Sequence, residues 1–323
     1  MSSVPSFKQY LVLLEAKAGV SYSDEHAHAN VWNHMVNKGI AHDKDAMMKE
    51  LQKAKTDKKH PLHFDNAKDE GFVGGKKTKD AHESYHAELE TAVHTVHALA
   101  NHKDFKKAVK EKHQAVVMGG ARGTISDTWK KHGATKGAVS KADIAIKNPK
   151  DNKSEGLKLS MKKGGGSQLM SAGPEENRAV HDHAAREMLD SHPKYAKLPK
   201  AKKDEIHAKI MDHMNKIEKH VNAMKTANRD DMQKHKNAAQ KLMDKVHDDH
   251  PELNHFVRKE ATTGQGKFGK GAAHAASYLV KSGTRTSDAS VKHVDDHDYS
   301  GSRPRIALPK GEGRSGNIKL DER

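Results

Sequence analysis

Cysteine is absent from this chain of 323 residues, and aromatic residues make up only 4% of it. A chain without cysteine forms no disulfide, no thiolate metal site and no cysteine nucleophile. Six Phe, six Tyr and two Trp are too few for the stacking platforms of RNA-binding domains. No window approaches the roughly 18 apolar residues of a membrane span, and no basic region precedes the short N-terminal apolar run. We therefore expect neither a membrane protein nor a signal peptide.

Hydrophobic residues are also scarce, at 34%, whereas charged residues reach 31%. This composition predicts a modest core and much solvated helix. The formal net charge of +15 indicates a polyanionic partner, most simply nucleic acid, because phosphates attract Lys and Arg regardless of base sequence. Candidate phosphate contacts, each equally explained as a solvated face, are Lys106, Lys107, Lys110, Lys112 and the seven lysines of 141–163.

Apolar residues at helical spacing predict helices over most of 24–113, with 105–117 as the fourth helix of that region. The same spacing returns over 174–255 and predicts a helical hairpin with coiled-coil-like packing around a turn at 226–231. Short strands are expected at 305–308 and 317–320. We therefore expect an α+β fold with four parts: a leading segment at 1–15, a helical region at 16–118, an α/β core at 119–173 and 256–323, and an inserted helical hairpin at 174–255.

Residues 141–172 form a pattern unlike the rest of the chain: two short apolar strands, a polar turn between them and a glycine loop after them. Alternate residues of a strand share a face. On the first strand, Ile144 and Ile146 therefore face the core, whereas Asp143 faces the other side. On the second strand, three apolar residues face the core, and the opposite face carries Lys158, Ser160 and Lys162.

An acid on one strand and a lysine on its neighbour suit phosphodiester cleavage. A carboxylate can hold Mg²⁺, and a cation can orient the attacking water and offset the charge of the transition state. The pattern of Asp143 followed by Ser160-Met161-Lys162 resembles the PD-(D/E)xK nuclease superfamily, which includes many type II restriction enzymes. KLSMKKGGGSQLMSA (158–172) resembles a phage-encoded branch of that superfamily, as does a second block at 260–269.

The resemblance implies a restriction-endonuclease-like core, DNA as substrate, and a one-metal or two-metal Mg²⁺ site without a nucleotide or organic cofactor. Asp143 matches the metal-binding acid, and Lys162 matches the lysine that positions water. Lys158, on the same face, is the alternative lysine. The glycine loop and the second block would contact DNA through Lys163, Gly164, Gly165, Gln168 and Lys267.

Ser160 departs from the family pattern, because most members carry a second acid at this position. Serine is a poor Mg²⁺ ligand, so another carboxylate must complete an active site. Glu260 is preferred because it lies in the second resembling block, and the other candidates are Glu155, Glu175 and Glu176. Without a further acid, the polar residues are equally explained as the solvated face of an antiparallel hairpin.

The N-terminal sequence MSSVPSFKQYLVLLEAKAG resembles the capsid-targeting propeptides of internal head proteins in tailed bacteriophages. Such propeptides are cut after an L-x-E tripeptide, which Leu13, Leu14 and Glu15 match, so cleavage would fall before Ala16. The resemblance implies a place inside the virion, with the capsid or prohead core and the prohead protease as partners. An ordinary amphipathic helix and a location in the host cytoplasm are the alternative.

Three functions are compatible with the sequence. The first is a Mg²⁺-dependent DNA endonuclease of a tailed phage, and the second is a non-enzymatic head protein that binds or condenses DNA. The third is a scaffold or core component that uses the helical hairpin. Histidine pairs at i, i+2 point to opposite sides of a helix and cannot chelate one metal ion. The weak remaining metal candidates are His247 with His250, and His293 with His297.

Overall fold

A computed structural model describes residues 24–63, 78–118, 142–151, 156–163, 168–265, 275–283, 289–309 and 313–321. The chain divides into two compact units. Unit 1 comprises Met1–Gly164 and Gly271–Asp295, and unit 2 comprises Gly165–Lys270 and Asp296–Arg323. The predicted α+β class is confirmed, because each unit combines helices with a sheet. None of the described helices is both long enough and apolar enough to cross a bilayer.

The units divide the chain differently from the predicted domain boundaries. The helical region predicted at 16–118 belongs to the same unit as the first two strands of the 141–172 pattern. The last part of that pattern, from residue 165 onward, belongs to unit 2 together with the inserted helices. The reason is pairing, because the strand at 168–172 joins a C-terminal strand instead of its sequence neighbours.

The described part of unit 1 starts with helices that follow the predicted spacing. Gly39 ends the first helix with a left-handed backbone, at φ +74°. Asp43 caps the second helix, because its side chain accepts the Ala46 N–H at 3.0 Å. These caps confirm the first two predicted helices, and a third long helix follows. The bounds are α1 at Asp24–Lys38, α2 at Lys44–Thr56, α3 at Thr78–Asn101 and the short α4 at Lys106–Lys110.

The prediction of one helix over 105–117 is wrong beyond Lys110. Lys112 takes a positive φ of 54°, which ends the helical path, and Gln114–Val117 forms strand β1. The side-chain amide of Asn33 holds this strand, because it accepts the Ala115 N–H at 2.6 Å and donates to the Ala115 carbonyl at 3.0 Å. Pairing of β1 with the next strand outweighs the local helical pattern.

The sheet of unit 1 has the order β1-β2-β3-β5-β6, with β2 at Ile144–Lys147, β3 at Leu157–Lys163, β5 at Tyr278–Ser282 and β6 at Ser290–His293. Its pairs are antiparallel except β3 with β5, which are parallel. The predicted hairpin of β2 and β3 is thus confirmed, and β3 lies at the centre of the sheet. The helices share one core with residues of this sheet, among them Trp32, Leu89, Val93, Phe105, Ile144, Leu159 and Val280.

Unit 2 contains the predicted helical hairpin, and the two strands expected near the C-terminus are confirmed. The side chain of Asn228 begins the second helix of the hairpin by accepting the Asp231 N–H at 2.9 Å. The helices are α5 at Pro174–Ser191, α6 at Pro193–Ala196, α7 at Lys200–Ala223, α8 at Arg229–Asp249 and α9 at Leu253–Thr263. The sheet has the order β4-β8-β7, with β4 at Gln168–Ala172, β7 at Arg305–Ala307 and β8 at Asn317–Asp321.

Two neutral histidines are enclosed in the core of unit 2. His181 on α5 and His247 on α8 are both 0% exposed, and their rings meet edge to face at 5.7 Å. The Nδ1–H of His181 donates to the Asn177 carbonyl at 3.0 Å. Its Nε2 and both ring nitrogens of His247 find no hydrogen-bond partner among the described residues. Burial lowers the pKa of His181 to about 4 and that of His247 to about 3.

The turn before β3 depends on Gly156, which has φ +68°. A Cβ at this position would lie 2.6 Å from Lys147 Cγ and 2.7 Å from the Ile146 carbonyl oxygen. We expect Gly156→Ala to destabilise unit 1 by about 3 kcal/mol, because backbone strain and a clash act together. Gly39→Ala is the matched control, since its φ of +74° is similar but nothing lies within 4 Å. It should cost about 1 kcal/mol, and equal losses in urea unfolding of both variants would contradict the expectation.

Candidate active site

Asp143 is fixed at the start of β2 by its backbone and by its side chain. Its N–H donates to the Leu159 carbonyl, and its own carbonyl accepts the Met118 N–H, both at 2.7 Å. Its carboxylate Oδ2 accepts the Met161 N–H at 2.6 Å and lies 3.5 Å from the Ser160 hydroxyl. The carboxylate therefore accepts a β3 backbone N–H that would otherwise bond to a carbonyl oxygen. These hydrogen bonds hold the acid in one position.

The predicted face of β3 is confirmed by its register, but most of that face is not open to solvent. Ala145 pairs with Lys158, and Ile144 pairs with Leu159, as alternation requires. Lys158 is only 2% exposed and Ser160 only 1%. Because both side chains are buried, the interpretation of these two residues as a solvated face is wrong. Lys162, nearer the end of the strand, is half-buried.

Lys281 is a neighbour of Lys162 that the sequence did not reveal. It lies on β5 and pairs with Lys162 in the parallel register, and it is also half-buried. Partners in such a register share a face of the sheet. The Ser282 hydroxyl donates to the Lys162 carbonyl at 3.3 Å, which further joins the two strands. A pair of lysines therefore lies on the face predicted to carry the chemistry, and only the pairing of distant strands brings them together.

The carboxylate that would compensate for Ser160 is not brought to Asp143 within the described part of unit 1. Glu260 is on α9 of unit 2, where it is buried at 2% exposure. Glu175 and Glu176 occupy the first turn of α5, in the same unit. Glu155 lies outside the described residues. Asp143 belongs to no described group of three His, Asp or Glu side chains whose ligand atoms lie within 4.8 Å of one another.

The expected DNA-contact and cleavage residues fall mostly outside the described part of the chain. Lys163 ends β3 and Gln168 begins β4, so these two are placed on strands of different sheets. The residues of these predictions that lie outside the described ranges are Leu13, Glu15, Ala16, Gly164, Gly165 and Lys267.

The fit of Mg²⁺ can be tested on the oxygen atoms at this position. Mg²⁺ is commonly held by one or two carboxylates together with water and substrate phosphates. Asp143 supplies one such carboxylate, fixed in place, and the Ser160 hydroxyl adds a weak oxygen ligand close to it. The described residues of unit 1 therefore supply one fixed carboxylate, which is the minimum for a Mg²⁺ ion held mainly by phosphate and water, and they do not fit two ions.

A second group of titratable residues surrounds Glu50, which is buried at 4% exposure. Its Oε1 accepts hydrogen bonds from Lys38 and from His60 Nε2 at 2.8 Å, and His34 Nε2 lies 3.2 Å away. Burial alone would raise the pKa of Glu50, but these hydrogen bonds together hold it well below the usual range. The carboxylate is therefore ionised and links α1, α2 and the loop after α2.

Two His and one Glu with ligand atoms within 4.8 Å of one another also have the composition of a metal site. The proton positions argue against it. Leu62 N–H donates to His60 Nδ1 at 3.1 Å, so the ring proton must lie on Nε2, where it points at Glu50. A metal ion needs an unprotonated Nε2, and the Lys38 ammonium already occupies the same carboxylate oxygen. We therefore interpret the group as a structural ion-pair network.

In unit 1, the Asp143 carboxylate is hydrogen-bonded to β3 at Met161, and Lys162 on β3 pairs with Lys281 on β5. Comparison of the chain with family models, with curated proteins and with solved structures gave no match.

Proposed function

We propose that this protein is a Mg²⁺-dependent DNA endonuclease whose active site lies at Asp143, Lys162 and Lys281. The observation that carries the proposal is the fixed Asp143 carboxylate, which hydrogen-bonds to β3 one residue before Lys162. The net charge of +15 supports a DNA substrate. A tailed-phage setting, with the protein packaged in the head or active in the host cytoplasm, rests on residues 1–16, which lie outside the described ranges.

Each residue has a distinct task in this mechanism. Asp143 would hold the metal ion, which when bound supplies a positive charge against the scissile phosphate. Lys162 orients the attacking water and stabilises the hydroxide character that it gains. Lys281, its neighbour on β5, adds a positive charge against the extra negative charge of the transition state. Ser160 lies close enough to Asp143 Oδ2 to donate a hydrogen bond that keeps the carboxylate oriented.

A plasmid-nicking assay with Mg²⁺ tests the proposal. Asp143→Asn retains an oxygen that can accept the Met161 N–H, so it should fold normally yet lose about 100-fold or more in rate. Lys162→Ala should lose a similar factor, and Lys281→Ala about 10-fold. Lys49→Ala, which changes an exposed lysine on α2, is the control and should cleave like the wild type. Nicking that survives both Asp143→Asn and Lys162→Ala would exclude this site.

A non-enzymatic DNA-binding protein of the phage head is the second candidate. Ser160 in place of an acid favours it, as does the use of Asp143 Oδ2 as a hydrogen-bond acceptor within the sheet. Its basic helices would contact phosphates and condense DNA. The same assay separates the two functions, because absence of nicking together with salt-sensitive DNA binding would favour this candidate.

A further inference from the structure

The helical hairpin of unit 2 carries one histidine on each helix, facing the other across the seam. His220 lies near the end of α7, and His235 lies in the second turn of α8. Both are half-buried at the edge of an apolar seam. The seam includes Ile217 and Val221 on α7 and Ala239 on α8. The two imidazoles therefore occupy a position that solvent can reach and that the packing of two helices keeps fixed.

The ring nitrogens of the pair point towards each other. His220 Nδ1 and His235 Nδ1 are 3.1 Å apart, and the ring centroids are 5.4 Å apart. One Nδ1 must donate a hydrogen bond and the other must accept it. The contact therefore requires that at least one of the two rings is neutral, with no proton on its Nδ1. Burial, with a smaller effect from His235, lowers the pKa of His220. The unprotonated imidazole is the form that binds metal ions.

We propose that His220 and His235 bind one divalent transition-metal ion, such as Zn²⁺, between α7 and α8. Metal–nitrogen bonds of 2.0–2.1 Å to atoms 3.1 Å apart give an angle of roughly 100° at the metal, between the octahedral and tetrahedral values. Small ring rotations would direct both lone pairs at one point. When both rings are neutral, the donating ring moves its proton from Nδ1 to Nε2, so no proton leaves the protein. Water completes the coordination.

One ionised carboxylate lies near the pair. Asp231 is one turn before His235 on α8. The ammonium of Lys234 and, to a smaller extent, His235 hold the pKa of Asp231 below its usual range. The carboxylate forms an ion pair with Lys234 at 2.9 Å, which offsets most of its charge, so the site depends on the two imidazoles for its affinity.

The two histidine groups described in the preceding subsections lack these properties. At Glu50, the proton of His60 and the ammonium of Lys38 occupy the atoms that a metal ion would need. At His181 and His247, both rings are completely buried in an apolar core, and a divalent ion would enter without a counter-charge. The pair on the helical hairpin combines unprotonated nitrogen, converging geometry and access from solvent.

A zinc titration of the full chain against a chromophoric chelator tests the site. The wild type should bind one equivalent of Zn²⁺ with a higher affinity than any further zinc that its other histidines bind. His220→Gln and His235→Gln should each weaken that equivalent by about 100-fold, because a single imidazole has no chelating partner. Glutamine is a good helix former, and circular dichroism would verify folding. The control is His213→Gln on α7, whose Nδ1 contacts the Lys209 carbonyl, and it should bind like the wild type.

Hydrogen exchange around the turn between α7 and α8 provides a second readout. Zinc should slow exchange there in the wild type and in His213→Gln, because the ion joins the ends of the two helices, and it should have no effect in His220→Gln. Two results would overturn the proposal. One is a wild-type chain without a distinct tightest equivalent of zinc, and the other is an unchanged affinity in both His220→Gln and His235→Gln.

Discussion

Lowering the pH from about 6.5 to about 4 is expected to unfold unit 2, because its two buried histidines must take up protons. His181 and His247 have folded-state pKa values of about 4 and about 3, below the ordinary value of 6.5. The unfolded chain therefore binds more protons than the folded chain in this range. Above pH 6.5 the two histidines do not reduce the free energy of unfolding. As the pH falls from 6.5 towards their folded-state pKa values, the free energy of unfolding decreases progressively.

The expected effect is large compared with the stability of an ordinary domain. Near pH 4.5 the two histidines together would remove on the order of 5 kcal/mol from the free energy of unfolding, and domains typically have 5–15 kcal/mol in total. The folded state would not stabilise the protonated rings, because three of the four ring nitrogens have no hydrogen-bond partner among the described residues. The acid-sensitive core lies between α5 and α8.

Hydrogen exchange of peptides from α5 and α8, followed over pH, measures this transition. A variant with His181→Leu and His247→Leu removes both titrations while nearly conserving volume, and its transition should move down by at least about one pH unit. His183→Leu, a half-buried change on the same helix as His181, should unfold like the wild type. An acid transition that stays at the wild-type pH in the double variant would refute this account.

Replacement of Glu50 by alanine is expected to destabilise unit 1 by about 3–5 kcal/mol. The change leaves the buried His60 N–H without its acceptor at 2.8 Å and separates Lys38 from its counter-charge. It also opens space at the junction of α1 and α2. Because the folded-state pKa of Glu50 is lowered, its contribution is complete above pH 4.5 and is lost only below that value.

Glu90→Ala is the matched control, because Glu90 pairs with Lys55 at 2.8 Å at a solvent-accessible position. An exposed pair contributes less than about 1 kcal/mol, so this variant should remain close to the wild type. Trp32, buried in unit 1 with its indole N–H on the His113 carbonyl, reports unfolding by fluorescence. Similar urea midpoints for Glu50→Ala and Glu90→Ala would show that the buried network is not stabilising.

The local elements of this fold could be predicted because their signals are local. Asp43 and Asn228 precede apolar repeats as capping residues should, and both begin helices. The alternation of core-facing apolar residues with residues of the opposite face in 144–146 and 157–161 was sufficient to predict the β2–β3 hairpin. The prediction of a helix over 105–117 failed because of residues distant in sequence. Asn33 and β2 provide hydrogen bonds to 114–117, and these bonds stabilise a strand there. Propensity within a short window carries no information about such partners.

The candidate site was only partly predictable for the same reason. Asp143 and Lys162 follow from strand alternation, but the burial of Lys158 and Ser160 depends on tertiary packing, which alternation along a strand does not reveal. Lys281 lies beside Lys162 because β5 pairs with β3 in parallel, and no sequence pattern in 141–172 predicts this pairing. The histidine pairs are also products of tertiary packing, because each joins residues from two helices.

The parallel pairing of β3 with β5 has a consequence for synthesis of the chain. Leu159 pairs with Tyr278, roughly 120 residues later, and unit 2 supplies most of the intervening sequence. While the ribosome makes that sequence, β3 is the outer strand of a three-stranded sheet, with its backbone donors and acceptors available to other chains. Premature termination before residue 278 would leave this edge permanently open, so truncated products should aggregate even though the helices of unit 1 are complete.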